Sequence, residues 1–217
     1  MRATGPLSEA PAGPPSEPAT EPAWLGSFEL ADPAVVAEVV RVVQAVVAAG
    51  GAVGWLAAPS ADEVLDWLGG AMAAGTRAVV VRVRGRIEAL GTWQRREGAV
   101  VARIGVVRRV MAHPDARGLG LGALVVHALV ADARAAGVEV LTLACRGNNH
   151  AALALYAAAG FTEYGRLQDA LAVEEHRFDE VLLSKRLLRP KGAQFHGSSA
   201  TGPGGSTRRV APGENAP

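Results

Sequence analysis

The sequence predicts an α/β (α+β) chain, with a mixed central sheet of about seven strands flanked by about four helices. Three observations predict it. An apolar, β-prone run over 100–112 leads through His113-Pro114 into a glycine-rich turn, and a long helical pattern over 123–136 follows. Two β-prone runs, 78–83 and 86–94, meet at Gly85 as an antiparallel hairpin. An alanine-rich helical segment, 151–159, stands between two expected strands, the apolar run 138–143 and residues 161–171.

The elements follow in order. Residues 1–22 are rich in Pro, Ala, Ser and Glu and read as a disordered tail, with no apolar core of a signal peptide. A first strand is expected over 24–30. Asp32 caps a helix that starts near Pro33 and runs to about residue 49. Its many valines lower helix propensity, so burial must hold it. Gly50-Gly51 breaks the pattern, and Ser60 with Glu63 forms a capping box for a second helix to about residue 73. The hairpin, the central strand and the long helix come next. Asn149 then caps the alanine-rich helix, Gly160 ends it, and strands over 161–171 and 177–187 complete the sheet. From 190 onward Gly, Ser, Pro and Arg return. The expected organisation is a tail (1–22), one domain (23–189) and a second tail (190–217).

Charge and composition exclude several function classes. The formal net charge is +1, and Arg208-Arg209 is too short a basic patch for nucleic acid. One cysteine, Cys145, rules out an intrachain disulfide, and the five histidines lack ligand spacing, so no metal is expected. No apolar run approaches the ~18 residues of a membrane span, so no membrane partner is expected and a cytoplasmic location is. The valine-rich first helix leaves room for a homodimer.

The turn Arg117-Gly118-Leu119-Gly120-Leu121-Gly122 carries the strongest chemical signal. Strand, glycine-rich turn and helix together present unpaired N–H groups to an anion, most often a phosphate. Arg117 adds a cation with a donor fork suited to phosphate oxygens. A P-loop is excluded, because Ala123-Leu124 follows the last glycine where Lys-Ser/Thr is required. The dinucleotide fingerprint is excluded too: the glycines are spaced G-x-G-x-G, and the next strand runs into Ala144-Cys145 without an acid. Close packing remains the alternative use of such a turn.

Some thirty residues later comes Asn149-x-x-Ala152-x-x-x-Tyr156-x-x-x-Gly160-Phe161. With the R-G-x-G-x-G turn, this pairing resembles the GNAT superfamily of acyl-CoA-dependent N-acyltransferases, over about residues 78–187. The resemblance implies that the turn, residues Arg117, Gly118, Leu119, Gly120, Leu121 and Gly122, binds the pyrophosphate of acetyl-CoA. It implies that Val110, Met111 and Ala112 border the pantetheine arm, on a central strand splayed from its parallel neighbour. Asn149 matches a position near that arm, and Tyr156 matches a general acid for the departing thiolate. A tyrosine hydroxyl, with pKa near ~10, stays protonated at neutral pH and suits that role.

The base is less defined. Strand 100–112 has no acid; Glu97, in the hairpin just before it, is the leading candidate, with Glu88, His113 or a water chain as alternatives. Cys145 follows a strand near the expected acyl site, but reads as structural. The resemblance places the acceptor site at the first two helices and the loop joining the last two strands, here Trp55, Asp62, Trp67 and the segment 168–176. Trp55 and Trp67 read as core or lid residues rather than specificity determinants, and the acids Asp169, Glu174 and Glu175 suit a cationic amine, with a solvated hairpin turn as the alternative for Glu174-Glu175. Residues 177–183 resemble the final strand of small-molecule and amino-acid-type acetyltransferases of this superfamily, so the acceptor is expected to be a small-molecule amine. The alternatives are a catalytically silent acyl-CoA-binding module, a protein N-acetyltransferase, and a plain nucleotide-binding domain.

Overall fold

The structure is a computed structural model that describes residues 20–26, 29–51 and 53–188. The expected tails lie outside these residues apart from 20–22, where Pro22 already begins the first strand. In chain order the elements are β1 (Pro22–Leu25), α1 (Pro33–Ala48), α2 (Ala61–Ala73), β2 (Arg77–Val83), β3 (Arg86–Arg95), β4 (Ile104–Ala112), α3 (Leu121–Ala135), β5 (Val140–Arg146), α4 (His150–Ala158), β6 (Thr162–Val173) and β7 (His176–Arg186). Seven strands form one sheet in the order β1-β2-β3-β4-β5-β7-β6. Every neighbouring pair is antiparallel except β4 and β5.

The helix starts follow from local chemistry. Asp32 accepts the amide of Ala34, and Pro33 occupies the first turn, where its missing N–H has no consequence. Ser60 and Glu63 make both reciprocal bonds of the capping box. Asn149 accepts the amide of Ala152. Six valines of α1, at 39, 40, 42, 43, 46 and 47, are buried against Ala78, Val80, Ile87, Leu90 and Met111 of the sheet. The face that left room for a second copy is therefore largely covered by the chain's own strands. On the other side of the sheet, Val125, Val126, Leu129 and Ala133 of α3 cover Val79, Val81, Ala89, Trp93 and Val107.

Two boundaries differ from the sequence reading. The first strand is Pro22–Leu25, displaced toward the N-terminus of the expected 24–30. The central strand starts at Ile104, because Gly98 (φ +99°) turns the chain and Ala99–Val101 forms a single 3-10 turn. Val100 is exposed there despite its β propensity.

Tertiary pairing shapes the middle of the sheet. β4 and β5 pair only from Ile104 to Val106 against Val140 to Thr142, then separate. On its other side β4 carries a bulge: Leu90 faces Met111 and Thr92 faces Arg108, so Gly91 alone stands opposite Arg109 and Val110. Arg109 takes φ +53° to accommodate the extra residue. The bulge reverses the alternation of the strand. Val107 and Val110 pack on the α3 side, whereas Met111 joins the α1 core.

Candidate active site

The splay between β4 and β5 opens a cavity of about 770 Å3. Its walls bring together most of the residues singled out in the sequence: Val110, Met111 and Ala112 on β4, the turn at Arg117, Gly118 and Gly120, the helix start at Leu121 and Gly122, and Asn149 and Tyr156 on α4. Beyond Val106 one edge of β4 has no strand partner, so its peptide groups border the cavity.

The turn is open where a phosphate needs it. Gly118 and Gly120 take φ of +83° and +72°, and a Cβ on either would meet no protein atom within 4 Å. The first amides of α3 have no partner within the helix and point out of its start. These features fit the pyrophosphate of a coenzyme A thioester. Arg117 is exposed beside them. Leu119 is different: its side chain is largely exposed and faces a separate hollow with Arg41, Glu88 and His113, so only its backbone borders the turn.

Tyr156 is 7% exposed and packs edge-on against Phe161, with ring centres 5.9 Å apart. Burial, reinforced by the neighbouring Cys145, pushes its hydroxyl well above the usual tyrosine range. The proton is therefore held at any neutral pH. Cys145 lines the same cavity; burial raises its thiol, with Arg146 opposing. A raised thiol is a poor nucleophile, in keeping with a structural cysteine. The side-chain oxygen of Asn149 is occupied as the cap of α4, which leaves its amide nitrogen for the cavity.

The three candidate bases lie elsewhere. Glu97 is exposed in the β3–β4 connection, next to the end of β4 that still pairs with β5, while the cavity opens at the opposite end. The hairpin geometry, invisible in sequence order, carries it away. Glu88 is held in an ion pair with Arg41 at 2.9 Å, and His113 Nδ1 lies 3.9 Å from Glu88. Both face the hollow on the far side of the turn.

Adjoining the cleft, and sharing Gly51, Ala144, Cys145 and Arg146 with it, is a second cavity of about 540 Å3. Trp55, residues 170–173 and Glu180 also line it. The acids at 169, 174 and 175 are not among its walls. Among the described residues, Glu180 is the one carboxylate lining either cavity. The sequence reading missed it, and it missed Arg109 and Arg146. Arg108-Arg109 in the middle of an apolar strand was the available signal. Arg109 reaches into the α1–α2 side, where its Cζ lies 3.7 Å from the ring centre of Trp55 and 4.2 Å from that of Trp67. The two tryptophans meet edge to face at 5.3 Å.

Comparison with known proteins agrees with this geometry. Residues 54–161 match the model of the acetyltransferase (GNAT) family. The ribosomal-protein-alanine N-acetyltransferase of Brucella melitensis superposes with a TM-score of 0.64 at 21% identity, covering 76% of this chain and 99% of that one. An N-acetyltransferase of Staphylococcus aureus Mu50 gives 0.67 at 14% identity, covering 78% and 100%. A GNAT superfamily phosphinothricin acetyltransferase of Sinorhizobium meliloti, solved in complex with acetyl-CoA, gives 0.64 at 17% identity, covering 82% and 96%. With its sheet order, its splayed central strands and its glycine turn at the start of α3, the chain belongs to the GNAT superfamily of acetyltransferases.

Proposed function

We propose that residues 23–189 form an N-acetyltransferase domain that moves an acetyl group from acetyl-CoA directly to a primary amine of a small molecule in the cytoplasm. One observation carries the reading: a single cavity joins the open glycine turn, the free edge of β4 and the buried Tyr156 hydroxyl. Acetyl-CoA, when bound, supplies the activated acetyl group. Arg117 and the amides from Gly118 to Gly122 bind its pyrophosphate, the edge at Val110–Ala112 orients the arm, and Asn149 borders it.

Tyr156 holds a proton at its hydroxyl and donates it toward the sulfur on which negative charge develops. The amine must reach the cleft neutral. Arg108, Arg109, Arg117 and Arg146 all line the cleft and no acid does, so its positive field favours the unprotonated amine. Glu180, at the margin of the adjoining cavity, is assigned the departing ammonium proton. Much of the rate comes from orientation, for which ~7–11 kcal/mol is available to well-positioned reactants. The volume of the adjoining cavity suits a small acceptor.

Calorimetric titration with acetyl-CoA, longer acyl-CoAs, ATP and NAD, followed by thiol release across a panel of amines, tests the reading. Selective acetyl-CoA binding with amine-dependent thiol release is expected. Acetyl-CoA binding without release would leave a silent binding module, release only with peptide N-termini would make the acceptor a protein, and tighter ATP or NAD binding would overturn the assignment.

A further inference from the structure

Arg109 stands out among the described charges of the cleft. It is half-buried, lines the acyl cleft and forms no ion pair among the described residues. Its Nη1 is fully buried without a hydrogen-bond partner. The rings of Trp55 and Trp67 receive the guanidinium at 3.7 and 4.2 Å, and the bare backbone of Gly54 leaves room beside it, a Cβ there standing 3.4 Å from Nη2. Aromatic faces attract a cation but do not accept its in-plane N–H donors. A buried N–H of a guanidinium that lacks an acceptor is costly, and arginine is seldom buried without a partner.

The backbone is strained to place it there. A non-glycine residue at φ +53° is strained by the approach of its Cβ to the backbone, and here the residue is the inserted member of the β4 bulge. Strain of this kind persists where the surroundings hold it and clusters at ligand sites. A second cation stands nearby in the cleft. Arg146 also has a buried nitrogen, Nε, without a partner, while its Nη2 donates to the carbonyl of Gly50 at 3.1 Å. Burial, with the adjacent charge of Arg108 as a lesser cause, lowers the Arg109 guanidinium to about 10, so the group is still a cation at neutral pH.

We propose that Arg109, seated in the corner formed by Trp55 and Trp67, binds the carboxylate of an acceptor that carries both an amine and an anionic group, so that the substrate class is amino-acid-like. This rests on the transfer reading above and narrows it. The planar donor fork matches a carboxylate, and the anion completes the hydrogen bonding that the aromatic corner leaves open. Glu180 lies on β7 directly opposite Arg146 of β5 on the wall of the adjoining cavity, a carboxylate for the ammonium, while Arg109 lines the neighbouring cleft that shares Arg146 with it.

The test uses the full chain loaded with CoA and titrates it calorimetrically with N-acetylglycine, N-acetylalanine, N-acetylleucine, N-acetylphenylalanine and N-acetylglutamate, each beside its α-carboxamide. At least one carboxylate is expected to bind roughly 10- to 100-fold tighter than its amide, in line with loss of a charge-assisted bond. In Arg109→Gln that gap closes, and in Arg109→Lys it is partly kept. Equal binding of every acid and amide would overturn the proposal, as would a gap that survives Arg109→Gln. The wild-type comparison stands even where the variant fails to fold. A carboxylate gap without acetylation of any free amino acid would sink the transfer reading and leave the anion site, whereas transfer to amines with no gap would do the reverse.

Discussion

A Cβ on Gly91 would stand 2.5 Å from Cγ1 of Val125. Gly91 is the single β3 residue facing the two-residue bulge of β4, and its bare backbone lets α3 approach the sheet at the root of the cleft. Leu129 and Val110 also close on that point, each 3.2 Å away. Gly91→Ala is therefore expected to cost about 1–3 kcal/mol by overpacking. Thermal unfolding measures it, and an unchanged midpoint would contradict the close approach.

Gly120→Val separates ligand space from fold. The added Cβ meets no protein atom, so folding bears only the strain of φ +72°, roughly 1–2 kcal/mol. The side chain instead occupies the space assigned to pyrophosphate. Acetyl-CoA binding should fall below detection by calorimetry while the circular dichroism spectrum stays native, and normal affinity would reject the cradle.

Tyr156→Phe should lower turnover about 10- to 1000-fold with acetyl-CoA affinity nearly unchanged, the range for a lost proton donor. Steady-state kinetics beside calorimetry decide this. Unaltered turnover would remove the hydroxyl from the chemistry.

The same hydroxyl predicts an alkaline weakness. Burial raises the folded Tyr156 above its unfolded value of about 10. Above that pH the unfolded chain binds fewer protons than the folded one, so stability is complete below about pH 10 and falls as pH rises further. Arg109, lowered to about 10 in the fold, acts in the opposite sense over the same range. Comparing wild type with Tyr156→Phe isolates the tyrosine. Denaturant midpoints should fall more steeply from about pH 10 to about pH 11.5 in wild type, and parallel curves would refute the linkage.

Asp132 ties the far end of α3 to the sheet. Its Oδ2 accepts the indole N–H of Trp93 at 2.8 Å, and its Oδ1 accepts Nη2 of Arg77 at 2.9 Å. Trp93 is 3% exposed, so Asp132→Ala leaves a buried donor unpaired and should cost about 1–3 kcal/mol. Urea denaturation measures that loss, with acetyl-CoA affinity preserved because Asp132 lies outside the walls of the cleft.

Much of the site was legible because its parts are short-range. The Asp32 cap, the Ser60–Glu63 box, the positive-φ glycines and the Asn149 cap each depend on neighbours within a few residues. Arg109 was not legible in that way. Its direction depends on the register slip between Thr92 and Leu90, and its company on a loop more than fifty positions earlier. Glu97 stands apart from the cavity for a related reason: closeness to β4 in sequence says nothing about which end of the strand opens.

The amino-acid sequence by itself determined the order of strands and helices, the helix caps, the open turn before α3 and a lone tyrosine on the short helix after β5. These are consequences of residue type and local periodicity. The tertiary structure alone decided where β4 leaves β5, which face the bulge gives to Arg109, and that Glu180 rather than Glu97 borders the cavity adjoining the cleft. Those outcomes arise from pairing and packing between segments far apart in the chain, and no local preference encodes them.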